Sequence, residues 1–216
     1  MAWLMRILFI GNSFTGRNDL PGLLTEMAAS APEPTAIETD RVLANGASLR
    51  QHWNAGTAAE KVGQGGWDYV VLQEQSTLPI KNVRRFHENV QLFNEIIQQQ
   101  GAKTMLYITW ARQHAPETQQ VLNEATQTIA GETGALVAPV GVIWQNARQS
   151  HPDLELYDKD GSHPSPTGSY LAACVFYATL LQKNPTSLMV PERLRIPEAT
   201  ATLVQQMAWQ TETGVA

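Results

Sequence analysis

The residues best able to do chemistry lie in two short segments that are far apart in the chain. Ser13 ends a Gly-Asn-Ser turn directly after an apolar run at residues 7–10, while Asp160 and His163 belong to an Asp-Gly-Ser-His-Pro stretch. A serine hydroxyl becomes a nucleophile when a base takes its proton and a third group orients that base. Across two intervening residues, the Asp160 carboxylate can reach one imidazole nitrogen of His163 and leave the other free to accept a proton. The two segments together therefore contain the parts of a catalytic triad.

Each segment also has a purely structural interpretation. Ser13 can cap the helix that follows its turn. Asp160 can form an Asx turn next to a helix start, with the His163 ring simply facing solvent. The choice between the two interpretations depends on whether the fold brings the segments together.

The patterning of apolar and polar residues predicts an α/β fold. Short apolar or β-branched runs predict strands, and apolar residues spaced three and four apart predict helices. The predicted strands cover residues 7–10, 36–43, 67–73, 103–110 and 136–140. The predicted helices cover residues 19–30, 49–62, 84–100, 116–132, 142–144, 165–181 and 199–210. This alternation predicts a three-layer α/β/α sandwich around a five-stranded, parallel, flavodoxin-like sheet.

The predicted topology brings the two segments to the same edge of the sheet. The Gly-Asn-Ser turn follows the first strand, which we expect near the centre, and His163 precedes the helix after the fifth strand. In open α/β sheets, ligands bind in the crevice at the carboxyl ends of the strands. Ser13, Asp160 and His163 are therefore expected to meet there.

Composition limits the class of protein. With 216 residues, 43% of them hydrophobic, the chain is expected to form one domain over residues 1–216. The formal net charge is −5 and no basic cluster occurs, so we expect no nucleic-acid partner. No apolar run approaches the roughly 18 residues of a membrane span, so we expect no membrane partner. Residues 1–10 are interpreted as the first strand rather than as a signal peptide. The expected location is cytoplasmic, unless a leader has been removed.

The single cysteine, Cys174, lies in an apolar helical pattern and is interpreted as a small buried residue. No Cys/His spacing suggests zinc, so we expect neither a metal nor another cofactor. The oligomeric state is not decided by the sequence.

Three short motifs resemble those of the SGNH, or GDSL-like, hydrolases. They are Gly11-Asn12-Ser13, Gly46 within an Asn-Gly-Ala-Ser turn, and Asp160 to Pro164, and they occur in the order that the family has. The resemblance implies ester hydrolysis through an acyl-enzyme, with Ser13 as nucleophile, His163 as base and Asp160 as its orienting group. It also implies an oxyanion hole that includes the backbone N–H groups of Ser13 and Gly46.

One motif departs from the family pattern. The third family motif is usually Gly-x-Asn-Asp, whose asparagine side chain donates to the oxyanion, whereas residues 73–76 here read Gln-Glu-Gln-Ser. Carbohydrate esterase-like subfamilies have Gln-Gly-Glu or Gln-Glu at this point. The resemblance therefore assigns the third oxyanion donor to Gln73, with Gln75 as the alternative.

The sequence leaves three functions open. The leading hypothesis is a serine esterase that hydrolyses short-chain acyl esters, acetyl esters above all, on a small molecule or a carbohydrate. The first alternative is an acyltransferase that uses the same triad. The second is a non-catalytic, flavodoxin-like ligand-binding module. The sequence argues against it, because no glycine-rich phosphate loop follows the first strand.

Four further residues are candidates for substrate binding: Asn12, Gln75, Trp110 and Arg112. Trp110 follows the fourth strand and can stack on a sugar ring, and Arg112 can bind a carboxylate or hydroxyl groups. The alternative is that Trp110 covers the core and that Arg112 forms a surface ion pair.

Overall fold

Strands and helices alternate through the part of the chain that this computed structural model describes, residues 4–212. The strands are β1 Met5–Gly11, β2 Ile37–Leu43, β3 Tyr69–Leu72, β4 Lys103–Tyr107 and β5 Leu136–Ala138. The helices are α1 Ser13–Gly16, α2 Leu20–Ser30, α3 Leu49–Ala55, α4 Thr57–Gly63, α5 Leu78–Lys81, α6 Val83–Gln99, α7 Gln119–Thr133, α8 Val140–Ser150, α9 Pro166–Leu181 and α10 Glu198–Glu212. Short 3₁₀ helices cover Arg17–Asp19, Pro116–Thr118, Pro185–Ser187 and Glu192–Leu194. Residues 1–3, which the sequence analysis assigned to the first strand, lie outside the described residues.

The five strands form one parallel sheet in the order β2-β1-β3-β4-β5. Side chains of a strand alternate between the two faces of a sheet. Accordingly, Ile7 and Phe9 pack with α2, α8, α9 and α10, whereas Leu8 and Ile10 pack with α3, α4, α6 and α7. The prediction of a three-layer α/β/α sandwich around a five-stranded parallel sheet is confirmed.

Several boundaries differ from the prediction. β1 lies next to the edge strand β2, and the centre of the sheet is β3. β3 and β4 end earlier than predicted. Gln73 and Ile108 each still donate one hydrogen bond to a neighbouring strand, and the residues after them form loops at the carboxyl edge of the sheet. The predicted helix at residues 49–62 is two helices, α3 and α4. They are separated at Gly56, whose φ of +82° is readily adopted only by glycine. The short helix α5 was not predicted.

The helices of residues 4–212 include none that combines the length and the apolar character needed to span a bilayer. Cys174 is a free, buried thiol within α9, as expected for a small core residue.

Candidate active site

The turn after β1 presents Ser13 as the first residue of α1. Asn12 caps this helix, since its Oδ1 accepts a hydrogen bond from the Phe14 N–H at 3.1 Å. A side chain at Gly11 would not fit, because an added Cβ would lie 2.7 Å from Gln73 Oε1 and 3.0 Å from Thr15 Oγ1. The Gly-Asn-Ser sequence is therefore what this tight turn requires.

The loop before α9 holds Asp160 and His163 in a fixed relation. Asp160 Oδ1 accepts the backbone N–H groups of Ser162 and His163, both at 2.9 Å, and its Oδ2 lies 2.5 Å from His163 Nδ1. The His163 side chain first, and then these backbone groups, hold the pKa of the Asp160 carboxyl well below its usual range. An ionised carboxylate only accepts hydrogen bonds, so His163 carries its proton on Nδ1 and leaves Nε2 as an acceptor.

The two segments meet at the carboxyl edge of the sheet. His163 Nε2 lies 2.8 Å from Ser13 Oγ, which is the distance needed for direct proton transfer. The loops are also joined beside this contact, because Arg17 donates to Asp158 at 2.7 Å and Asn18 donates to the Pro164 carbonyl at 3.3 Å. The structure thus brings together the three side chains that the sequence analysis selected as a triad.

Trp110 is not available to stack on a sugar ring. Its side chain is 1% exposed, stacked between Phe14 and Trp144 with ring centroids at 5.0 and 3.9 Å. Its Nε1–H donates to the Ser162 carbonyl at 2.9 Å. The substrate-binding role predicted for Trp110 is therefore wrong, since the residue supports the loop that carries His163 from inside the core.

Asn12 also has both side-chain polar atoms in use. Its Nδ2 donates to the Ala47 carbonyl at 3.0 Å, in addition to the cap on the Phe14 N–H. Asn12 borders the pocket, but its side chain is buried and both of its polar atoms are used within the protein, contrary to the predicted role in substrate binding. Its hydrogen bonds instead hold the turn that contains Gly46 against the turn that contains Ser13.

The backbone N–H groups of Ser13 and Gly46 have no hydrogen-bond partner among the described residues, and both residues line the same pocket. Gly46 has a φ of +67°, and nothing lies within 4 Å of the position where a Cβ would stand. The glycine is thus required by its backbone conformation. These two N–H groups are the donors that the resemblance assigned to the oxyanion hole.

Gln73 has a different role from the one predicted. It is 1% exposed and does not line the pocket, and its Oε1 accepts the Asn12 N–H at 2.8 Å and the Thr15 hydroxyl at 3.0 Å. Its Nε2 donates to the Glu74 carbonyl at 2.5 Å. The assignment of Gln73 to the oxyanion hole is therefore wrong, because its amide holds the turn that contains Ser13 in place.

Gln75, the alternative, does line the pocket. Its Oε1 accepts the backbone N–H of Thr77 at 2.9 Å and the Thr77 hydroxyl at 3.0 Å. These bonds fix which end of the amide is the oxygen and leave Nε2 as a donor. Gln75 therefore replaces Gln73 as the candidate third donor.

A buried carboxylate that the sequence analysis did not select connects these donors. Glu74 Oε1 accepts the N–H groups of Leu49 at 3.0 Å and of Gln75 at 2.7 Å, and its Oε2 accepts Asn89 Nδ2 at 2.9 Å. Burial raises the pKa of Glu74, and the hydrogen bonds, first that from Asn89, offset part of this shift. Through Leu49, the first residue of α3, Glu74 ties the Gly46 turn to Gln75.

His52 is a second residue that sequence reasoning missed. It is buried in α3, its Nε2 lies 2.7 Å from the Gly11 carbonyl oxygen, and burial lowers its pKa. The neutral ring with a proton on Nε2 donates to that carbonyl and supports the turn before Ser13. Glu74 lies in the Gln-Glu pair of the third motif, but the motif does not indicate which groups its carboxylate holds, and His52 belongs to no short motif.

The pocket over Ser13 has a volume of about 590 Å³. Its walls are formed by Asn12, Ser13, Phe14, Arg17, Asn45, Gly46, Gln75, Ser76, Arg112, Asp160, Ser162 and His163. Arg112 thus lies where the sequence analysis placed it. Within residues 4–212, no group of three or more His, Cys, Asp or Glu side chains is arranged to hold a metal ion.

Comparison with solved structures identifies the family. A protein from Slackia heliotrinireducens described as a candidate SGNH hydrolase is 31% identical, with a TM-score of 0.69; the match covers 82% of this chain and 100% of that one. The chain belongs to the SGNH hydrolase family. The protein is accordingly a hydrolase, and its fold and the order of its motifs are those expected of an SGNH hydrolase.

Two more distant structures share the fold of this SGNH hydrolase. A DUF4886 family protein from Bacteroides uniformis is 21% identical over 99% of this chain and 97% of that one, with a TM-score of 0.79. Axe2 from Geobacillus stearothermophilus, described as an acetylxylan esterase, is 13% identical over 84% of this chain and 94% of that one, with a TM-score of 0.64. No protein-family model matches the sequence, and no curated protein sequence does either.

Proposed function

We propose that this SGNH hydrolase is a serine esterase that cleaves short-chain acyl esters, above all acetyl esters, through a Ser13–His163–Asp160 triad. The observation that carries the proposal is the 2.8 Å contact between Ser13 Oγ and His163 Nε2, with His163 Nδ1 held by Asp160 at 2.5 Å. A serine that is only a turn residue has no need of an oriented imidazole on its hydroxyl.

In the first half of the reaction, Ser13 Oγ attacks the acyl carbon while its proton passes to His163 Nε2. Asp160 stabilises the imidazolium that results. The negative charge that develops on the carbonyl oxygen is met by the backbone N–H groups of Ser13 and Gly46 and by Gln75 Nε2, and such donors are commonly the largest single catalytic contribution.

His163 then gives its proton to the leaving alcohol, and the acyl group remains on Ser13. In the second half, His163 takes a proton from a water molecule as the water attacks the acyl carbon. His163 then returns this proton to Ser13 Oγ as the bond between Oγ and the acyl carbon breaks and the acid leaves. Every proton transfer in this scheme passes through His163, and no step requires a metal or cofactor.

The size and polarity of the pocket support a small acyl group attached to a polar alcohol. Most of the side chains around Ser13 carry polar or charged groups, including Asn45, Gln75 and Arg112. An acetylated carbohydrate suits such a surface, and the fold is shared with Axe2, an acetylxylan esterase. We therefore extend the proposal to acetyl groups carried on a sugar or a similarly polar molecule.

The test is hydrolysis of p-nitrophenyl acetate and p-nitrophenyl butyrate by the wild type and by Ser13→Ala, in the presence of EDTA. We expect kcat to fall by about 10³–10⁶ in the variant. The helix cap on the Phe14 N–H comes from Asn12, so Ser13→Ala leaves the turn intact.

Ser150→Ala is a matched control, because that hydroxyl donates to the Asn146 carbonyl within α8 and lies outside the pocket over Ser13. It is expected to keep the wild-type rate. Equal rates in wild type and Ser13→Ala would show that Ser13 is a turn residue, and the proposed function would be wrong.

A further inference from the structure

Arg112 is a cation in the pocket above Ser13, and no group in the described part of the chain pairs with its charge. It follows β4, and its side chain lines the pocket above Ser13. Its Nε is buried and has no hydrogen-bond partner, and no ion pair found within residues 4–212 includes Arg112. A buried donor without a partner is costly and calls for a specific explanation.

The other charged residues of the pocket have partners. Arg17 is paired with Asp158 at 2.7 Å. Asp160, the only acidic residue that lines the pocket in the described chain, accepts hydrogen bonds from His163 and from two backbone N–H groups. Arg112 is therefore the only charged group lining this pocket that the described protein leaves unpaired.

The backbone on both sides of Arg112 is held firmly. The Ala111 N–H donates to Gln119 Oε1 at 2.6 Å, and the Ala111 carbonyl accepts the Tyr157 hydroxyl at 2.6 Å. The Gln113 N–H donates to the Gly161 carbonyl at 2.9 Å, within the loop that carries the triad acid and base. Arg112 thus projects from a fixed point on the pocket wall, and its backbone needs no rearrangement when the side chain binds a ligand.

The chemistry of the unpaired group selects the ligand. A guanidinium presents its N–H donors in a rigid planar fork, and a pair of them fits the two oxygens of a carboxylate. We propose that Arg112 binds a carboxylate of the substrate, and that the substrate is an ester of an acidic alcohol. The inference rests on the proposed function: because the acyl group is short, the carboxylate belongs to the alcohol part.

Long-range attraction does not account for such a preference. The whole chain has a formal net charge of −5, which disfavours the approach of an anion. Selectivity for a carboxylate must therefore come from a local contact, and removing one side chain should abolish it.

The experiment compares 3-acetoxybenzoate with its neutral analogue, methyl 3-acetoxybenzoate, for wild type, Arg112→Gln and Arg112→Lys. Release of the phenol is followed by chromatography, and kcat and KM are measured separately. For each ester, kcat/KM of a variant is divided by kcat/KM of wild type. The different intrinsic reactivities of the two esters therefore cancel.

We expect Arg112→Gln to lower kcat/KM for the acidic ester by about 10–100-fold, mainly through KM. The loss for the neutral ester should be at least about tenfold smaller than the loss for the acidic ester, and urea unfolding checks that the variant is folded. Arg112→Lys should recover part of the loss, because an ammonium keeps the charge without the paired donors.

Arg84→Gln is the matched control for charge. Arg84 is an exposed residue of α6 that pairs with Glu88 and does not line the pocket. This variant removes one positive charge, as Arg112→Gln does. Because the preference is attributed to a local contact and not to net charge, the ratio of kcat/KM for the two esters should stay at the wild-type value. A similar loss for both esters in Arg112→Gln, or no loss for either, would overturn the proposal.

Failure of the proposed function gives a different pattern, in which wild type and Ser13→Ala hydrolyse neither ester faster than buffer. In that case, calorimetric titration with 3-hydroxybenzoate and methyl 3-hydroxybenzoate tests Arg112 without turnover. The carboxylate site is supported if wild type binds 3-hydroxybenzoate but not its methyl ester, and if Arg112→Gln does not bind the acid. It is refuted if wild type does not bind the acid.

Discussion

Replacing Asp160 by asparagine tests how the triad depends on one proton position. In the wild type, Oδ1 accepts two backbone N–H groups and Oδ2 accepts the proton on His163 Nδ1. An asparagine that keeps both backbone bonds must present its NH₂ group to Nδ1. His163 then holds its proton on Nε2 and cannot accept the proton of Ser13.

The asparagine side chain cannot escape this conflict by turning over. In the opposite orientation its NH₂ group faces the N–H groups of Ser162 and His163, so two hydrogen bonds are lost, each contributing about 1 kcal/mol. The backbone of the loop therefore selects the orientation that gives the inactive tautomer.

The size of the effect follows from solvent exposure. In a buried triad the same substitution lowers kcat by about 10⁴. Here the Asp160 side chain is 47% exposed and that of His163 is 27% exposed, so water can accept the Nδ1 proton in part of the molecules. We expect kcat to fall by about 10²–10³, or about 3–4 kcal/mol of transition-state stabilisation.

The assay is hydrolysis of p-nitrophenyl acetate, accompanied by urea unfolding to show that Asp160→Asn is folded. Asp158→Asn is the matched control. Asp158 lies in the same loop as Asp160, but its side chain pairs with Arg17 and not with His163. We expect it to keep kcat within about threefold. A folded Asp160→Asn with wild-type kcat would refute the proposed role of the carboxylate.

The oxyanion site and the buried carboxylate give two further predictions. Gln75→Glu keeps an acceptor for Thr77 but replaces Nε2, the proposed oxyanion donor, by an oxygen. The value of kcat for p-nitrophenyl acetate should therefore fall by about 10²–10³. An unchanged kcat would show that Gln75 does not donate to the oxyanion. For Glu74, burial raises the pKa in the folded state, so the folded protein binds this proton more tightly than the unfolded chain. The free energy of unfolding of wild type, minus that of Glu74→Gln, should therefore fall as pH rises from about 4.3 through the raised pKa. Urea unfolding of both proteins across this pH range measures this difference, and a difference that rises with pH would contradict the reasoning.

The fold and the proposed triad were accessible from sequence because they rest on local patterns. An apolar run that ends in Gly-Asn-Ser specifies a buried strand and a tight turn, and Asp160 reaches His163 through a bond that spans only three residues. The parallel alternation of strands and helices then places both segments at the same edge of the sheet. No long-range contact had to be known for this step.

The roles of Gln73, Gln75 and Trp110 were decided only by tertiary structure. The Gln73 N–H still pairs with the Ile10 carbonyl at 2.9 Å, so its side chain is enclosed beside β1, whereas Gln75 lies two residues further along and reaches the pocket. Trp110 is buried because Phe14 and Trp144, from other elements, cover both faces of its ring. Whether a polar or aromatic side chain at the end of a strand faces a ligand or the core depends on which distant segments pack over it. The sequence by itself determined which residues are proposed as catalytic and that they share one edge of the sheet, and only the packing decided which neighbours hold them and which side chains face the pocket.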